Sequence, residues 1–158
     1  MSAEKFRVVA RAIILTPDER IVLVTASRMA GALVLPGGAV DEGESLPQAA
    51  QREAREECGV DVTIERAIWL SEFYDRRNAR ANLEVYFLTR PAGDTALPDR
   101  WLHDDAGHSG LRRRAGLYSK SDLESVTAKV YPAELRDGFW IGLAQGFHEA
   151  YLGRFEGE

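Results

Sequence analysis

The sequence predicts an α+β fold, a mixed sheet with helices packed against it. Three observations predict it: short β-branched runs bounded by turn chemistry, one central helix signalled at both ends, and a last segment with apolar residues at helical spacing. In chain order the elements read β-β-β-α-β-β-β-α-α. The 158 residues suit one domain, residues 1–158, with one ordinary core.

Phe6 to Leu15 reads as the first strand, with Val8, Val9, Ile13 and Ile14 supplying β-branched bulk. Thr16-Pro17-Asp18-Glu19 is turn chemistry, and Arg20 to Ala26 returns as a second strand, so the pair predicts a hairpin. A loop at Arg28 to Gly31 leads to the apolar piece Leu33-Val34-Leu35. Pro36-Gly37-Gly38 follows, free to adopt unusual dihedrals and without side chains to block close approach. Ser45 with Gln48 is a capping-box pattern, Pro47 is tolerated in the first helical turn, and Gly59 stands where a left-handed C-terminal cap belongs. Ala49, Ala50 and Ala54 keep this helix slim enough to lie close to a sheet.

Val60 to Glu72 and Leu83 to Thr89 read as two more strands, joined by the polar stretch Asp75 to Asn82. Pro91 to Gly110 has no clear periodicity and reads as a long loop. Leu117-Tyr118 resembles a short strand, and Ser121 with Glu124 gives a second capping pattern. Leu135, Phe139, Leu143, Phe147 and Tyr151 then predict a last helix from about Ala133 to Leu152. Gly138, Gly142 and Gly146 give it a small-residue stripe, suited to close packing within the fold or across a homodimer.

Composition narrows the class. With 45% hydrophobic and 28% charged residues the chain is globular, and no apolar run reaches the length of a membrane span. The start, Met1-Ser2-Ala3-Glu4-Lys5, lacks a secretory layout, and the single cysteine, Cys58, has no internal disulfide partner, so a cytoplasmic location is expected. A net charge of −5 argues against long nucleic acid and leaves small phosphorylated substrates open. One cysteine and three scattered histidines disfavour zinc, so oxygen ligands are expected for any metal.

Glu53, Glu56 and Glu57 stand at i, i+3 and i+4 of the predicted helix and share one face. Most such clusters are solvated faces that neighbouring arginines offset; a hard cation such as Mg²⁺ is the other use of a three-carboxylate face. The setting favours the cation, because the glutamates follow a Pro-Gly-Gly segment, the acidic run Asp41-Glu42-Gly43-Glu44 and a capped helix start.

These residues resemble the Nudix box, G-x5-E-x7-R-E-U-x-E-E-x-G-U. Gly38, Glu44, Arg52-Glu53-Ala54, Glu56-Glu57, Gly59 and Val60 fill its nine specified positions, with Ala54 a small variant of a bulky apolar one. The box covers residues 38–60, and the Leu35-Pro36-Gly37-Gly38 entry is also similar to the family. The resemblance implies a Nudix-like α/β/α sandwich with a loop-helix-loop catalytic motif. It implies that Glu53, Glu56 and Glu57 hold Mg²⁺ or Mn²⁺, that Gly37 lends a carbonyl to a metal, and that Arg52 and Glu44 brace the glutamates. Glu53, or a carboxylate outside the box, then assists deprotonation of water. Many members take a base from a later glutamate; here that region reads Asp99-Arg100-Trp101-Leu102-His103-Asp104-Asp105, leaving Asp104 or Asp105.

The expected activity is pyrophosphohydrolysis of a nucleoside diphosphate linked to another group, first a nucleoside triphosphate or a damaged one. ADP-ribose, nucleotide sugars or dinucleotides are the alternative, and a nucleotide-binding regulator without turnover is the alternative of another class. For substrate contacts the candidates are Arg11 in the first strand and Arg28 in the loop before Leu33. Arg76, Arg77 and Arg80 and the run Arg112-Arg113-Arg114 are further cationic groups, usually solvated, while Phe73, Tyr74 and Trp101 are stacking candidates whose commoner role is packing.

Overall fold

Strand alternation organises the computed structural model, which describes residues 6–26, 30–94 and 96–157. In β1 (Phe6–Ile14), Ala10, Ala12 and Ile14 face one side and Ile13 the other. In β2 (Ile21–Ala26), Val22 and Val24 share the side of Ala10, while Ile21 and Leu23 share that of Ile13. Two buried clusters follow, one on each side of the strands. Helix α1 (Leu46–Cys58) covers the first through Ala49, Ala50 and Ala54. The second is covered by α2 (Lys120–Ser125), a 3-10 turn (Ala133–Arg136) and α3 (Gly138–Gln145) through Leu123, Leu135 and Phe139. The result is an α+β sandwich of mixed sheets between helices, as the sequence predicts.

The strands form two five-stranded sheets. The others are β3 (Ala32–Val34), β4 (Gly37–Ala39), β5 (Val62–Asp75), β6 (Arg80–Pro91), β7 (Arg100–Asp104), β8 (Arg112–Tyr118), β9 (Val130–Tyr131) and β10 (Tyr151–Gly157). One sheet runs β10-β5-β6-β1-β4, the other β7-β8-β2-β3-β9. Both are mixed: β1 with β6, β10 with β5, and β3 with β9 are parallel, and the remaining pairs antiparallel.

Five sequence expectations are corrected. β1 and β2 are not a hairpin; they belong to different sheets and meet at a single Leu15–Ile21 bridge. Both edges of β1 are already taken, by β6 and β4, and the Thr16 hydroxyl, bonded to Asp18 and to the Arg20 carbonyl, turns the chain away. Gly37 and Gly38 are strand residues outside the left-handed region, so they serve close approach and not an unusual dihedral. The expected loop from Pro91 to Gly110 contains β7, and the cap of α2 is Ser119 with Asp122 in place of Ser121 with Glu124.

The fifth concerns the C-terminus. The last helix stops at Gly146, whose φ of 95° only glycine adopts readily, and the chain returns as β10. Phe147 folds back so closely that a Cβ on Gly142 would lie 2.2 Å from its ring. Its ring centroid is 5.7 Å from that of Trp69 and 6.0 Å from that of Phe139. Gly142 of the glycine stripe therefore serves packing within the chain. Among the described residues no helix is long and apolar enough to cross a membrane.

Candidate functional site

Both ends of α1 are fixed by local chemistry. The Ser45 hydroxyl accepts the Gln48 N–H at 3.2 Å, and the Gln48 side chain accepts the Ser45 N–H at 2.9 Å. Gly59, at φ 72°, donates back to the Arg55 carbonyl and closes the helix. With its alanine face pinned to the strands, the helix carries Glu53 and Glu57 into buried positions and leaves Glu56 at the margin. Cys58 packs in the same face, its thiol bonded to the Ala54 carbonyl and pushed by burial up to about 12.

Arg52 ties the preceding loop to this face. It grips both oxygens of Glu44 at 2.8 and 3.0 Å, and donates to the Ala39 carbonyl at 2.9 Å. It reaches Glu53 at 2.7 Å and Glu56 at 3.2 Å. The glycine pair explains how β4 fits beside them. A Cβ on Gly38 would stand 2.4 Å from Oε1 of Glu53, and one on Gly37 would stand 2.6 Å from Cδ of Arg11. Consecutive strand residues thus touch opposite sides: Gly38 meets the carboxylates of α1, and Gly37 meets Arg11 on the other face.

The two aspartates at the end of β7 separate cleanly. Asp104 is exposed and paired with Arg112, whereas Asp105 is buried, accepting from Gly107 N–H at 2.9 Å and from Arg113 Nε at 2.7 Å. The turn holding Asp105 is fastened to α1 by a bond from Ala106 N–H to the Glu56 carbonyl. Arg113 also lies 3.8 Å from Glu57. In sequence the Arg112–Arg114 run is a cationic stretch of a kind usually solvated; strand alternation in β8 turns Arg113 toward Asp105 and Glu57.

Burial dominates the electrostatics here. It raises the carboxyl of Glu53 despite Arg52, and it pushes Glu57 up to about 7 against the pull of Arg113 and Arg11. Burial also opposes charge on Asp105, but Arg113 and the Gly107 N–H outweigh it and hold that group below its usual range. Hydrogen bonds from Arg52 likewise hold Glu44 low.

The donor chemistry fits a hard divalent ion: oxygen donors only, with two buried carboxylates whose charge is incompletely compensated. Among the described residues no three acidic, imidazole or thiol groups converge on one point. Arg52 lies among Glu44, Glu53 and Glu56 instead, so joint coordination by Glu53, Glu56 and Glu57 requires their side chains to rotate.

Arg11 is brought to a second hollow, across β4 from Glu53, and acts on Glu57 only electrostatically. It is engaged with Glu84 at 3.1 Å and with the Leu35 carbonyl at 3.3 Å. A cavity of about 170 Å³ lies over this part of the sheet, walled by Leu35, Phe73, Tyr131, Pro132 and Phe155. Its polar floor holds Ser71, Asn82, Glu84 and Tyr86, which sequence reading missed. The signal was present as Asn82, Glu84 and Tyr86 at alternate positions of β6, with Leu83 and Val85 between them. Arg28 lies outside the described residues. Trp101 is structural, its indole bonded to the Cys58 carbonyl, and Arg76 is paired with Glu156.

A two-sheet sandwich with an arginine-braced carboxylate helix defines a recognisable class. The NUDIX domain family model matches residues 5–133, and the chain belongs to that family. It is 39% identical over 83 residues to the low-salt glycan biosynthesis protein Agl8 of Haloferax volcanii, covering 52% of this chain and 53% of that protein. It is 35% identical over 96 residues to diphosphoinositol polyphosphate phosphohydrolase 2 of Rattus norvegicus, covering 61% and 49%. The chain thus spans about half the length of the curated relatives it matches. In structure it resembles an ADP-ribose pyrophosphatase of Streptococcus suis, with a TM-score of 0.59, 23% identity, and 94% and 98% of the two chains covered.

Proposed function

We propose that residues 1–158 form one NUDIX unit that hydrolyses a phosphoanhydride bond, dependent on Mg²⁺ or Mn²⁺. The substrate is a nucleoside diphosphate linked to another group, first a nucleoside triphosphate or a damaged one, with ADP-ribose or another nucleotide conjugate second. One observation carries this reading: a complete Nudix box on a capped helix that buries Glu53 and Glu57 without a cation sufficient for both.

Glu53, Glu56 and Glu57 would hold the ion, with the Gly37 carbonyl as a further donor. The ion supplies charge neutralisation at the diphosphate and activation of a water. Glu44 and Arg52 position Glu53 through the bonds described above. Asp105 is held charged by Gly107 N–H and Arg113, and its role is to fix Arg113 at 3.8 Å from Glu57. Proton acceptance is assigned to Glu53, whose carboxyl is raised by burial while that of Asp105 is held low. Water attacks one phosphorus, its proton passes to Glu53, and the other phosphate leaves.

The test is a panel of nucleoside triphosphates, nucleotide sugars and dinucleotides with Mg²⁺ or Mn²⁺, separating phosphate from pyrophosphate products. Glu53→Gln and Glu57→Gln should each lower turnover at least a hundredfold. Near-normal turnover in both would remove this site assignment. No turnover across the panel would favour a nucleotide-binding protein without catalysis.

A further inference from the structure

The cavity beside Arg11 has the composition of a site for one flat ring. Its walls are aromatic and aliphatic, and a few polar groups converge on its floor. Strand register sets the layout. Asn82 of β6 stands between Arg7 of β1 and Phe73 of β5, and Phe73 in turn pairs with Phe155 of β10. One pair further along, Glu84 stands beside Ser71, and beyond it Tyr86 pairs with Arg11. All lie on one face of the sheet.

The floor offers a definite hydrogen-bond pattern. Glu84 is ionised, because Arg11 and the Tyr86 hydroxyl overcome the opposing effect of burial. Each of its oxygens takes one bond from the protein, Oε1 from Arg11 at 3.1 Å and Oε2 from Tyr86 at 3.0 Å. A carboxylate has about four acceptor positions, so each oxygen keeps one. Asn82 presents its oxygen to Arg7 at 3.2 Å, which leaves its amide N–H groups without a partner among the described residues. The cavity lining therefore offers acceptor capacity on both oxygens of Glu84 and donor capacity on Asn82.

We infer that this cavity binds a 2-amino-6-oxopurine, the base of a guanosine-type nucleotide, with its ring between the apolar walls. Such a base presents two adjacent N–H donors, which match the two oxygens of Glu84, and a neighbouring carbonyl, which matches the Asn82 amide. Adenine and cytosine present one amino donor beside a ring acceptor, whose lone pair would face the carboxylate. Uracil presents one N–H flanked by two carbonyls. Unpaired or opposed polar groups in a buried site are what discriminate between analogues. The placement also suits the proposed hydrolysis, on which this inference rests for its substrate: only the Gly37–Gly38 backbone separates Arg11 at the cavity from Glu53.

The test measures binding of GMP and AMP by calorimetry in EDTA, where no hydrolysis intervenes. GMP should bind at least tenfold more tightly than AMP. Glu84→Gln turns one acceptor into a donor and suits adenine, so the ratio should fall at least tenfold and move toward AMP. Asn82→Asp should weaken GMP selectively; the ratio is informative even if a variant is less stable. Equal binding of the two nucleotides, binding of neither, or an unchanged ratio in both variants would overturn the inference. Hydrolysis of the substrate panel without guanine preference removes the base site and leaves the hydrolase. Selective GMP binding without any hydrolysis does the reverse.

Discussion

Glu57 and Glu84 are both buried carboxylates beside an arginine, yet they behave in opposite ways. Glu84 receives Arg11 at 3.1 Å and a Tyr86 hydroxyl at 3.0 Å, and stays below its usual range. Glu57 has Arg113 only at 3.8 Å, because Arg113 is committed to Asp105 at 2.7 Å, and burial carries it up to about 7. One acid is satisfied by the fold and the other is left wanting a cation. The difference teaches that burial alone does not mark a metal site. What distinguishes the proposed metal site is burial that the protein's own partners fail to balance.

The largest effect expected from this comparison is on stability. Arg11→Met removes the direct partner of Glu84 and should destabilise the fold by about 3–5 kcal/mol, the usual consequence of stranding a buried charge. Urea unfolding at neutral pH measures it. A loss under about 1 kcal/mol would mean that Glu84 is satisfied without Arg11, and the contrast with Glu57 would collapse.

Glu57→Gln should act with the opposite sign. Because the folded state raises this carboxyl from its ordinary value, the native protein keeps a proton that the unfolded chain has released. Stability therefore falls as pH rises from about 4.5 to about 7, and the deficit is complete above that window. Removing the acid should stabilise the metal-free protein at pH 8 by up to about 3 kcal/mol, and by little at pH 4.5. Equal effects at both pH values would show that Glu57 is not the strained group. With Mg²⁺ at a hundredfold excess over its Kd, the wild-type protein at pH 8 should gain about 2.7 kcal/mol, and Glu57→Gln should lose most of that gain. Chelation should reverse it.

Most of what concerns α1 was legible in the sequence, and little of what surrounds it was. Ser45, Gln48, Pro47 and Gly59 act through bonds a few residues long, so their spacing alone declares the helix. The spacing of Glu53, Glu56 and Glu57 likewise states a shared face. Strand partners are different, because they are chosen by competition among distant edges. Nothing local says that β4 and β6, rather than β2, flank β1. The last segment misled for another reason: Phe139, Leu143 and Phe147 keep helical spacing, but Phe147 reaches the core by folding back onto Gly142 after the helix has ended. Glu84 was hidden because an acid at every-second-residue spacing looks solvated until its neighbours across three strands are known.

The smallest expected change in stability tests how close the two regions lie. Gly37 and Gly38 face opposite sides of one strand, and a methyl group on each meets different matter. At Gly37 it would stand 2.4 Å from the Ala10 carbonyl, a backbone atom held in the β1–β4 ladder, so Gly37→Ala should disturb the pairing and lower stability clearly. At Gly38 it would meet only the end of the Glu53 side chain, at 2.4 Å, and that carboxylate can rotate away at the expense of its bond to Arg52. Gly38→Ala should thus lose only about 1 kcal/mol, the order of one hydrogen bond. Because it displaces the proposed proton acceptor, it should still lower hydrolysis at least tenfold, with GMP and AMP binding in EDTA unchanged. If Gly38→Ala instead kept full activity, the Glu53 carboxylate would not be working from the position where β4 holds it.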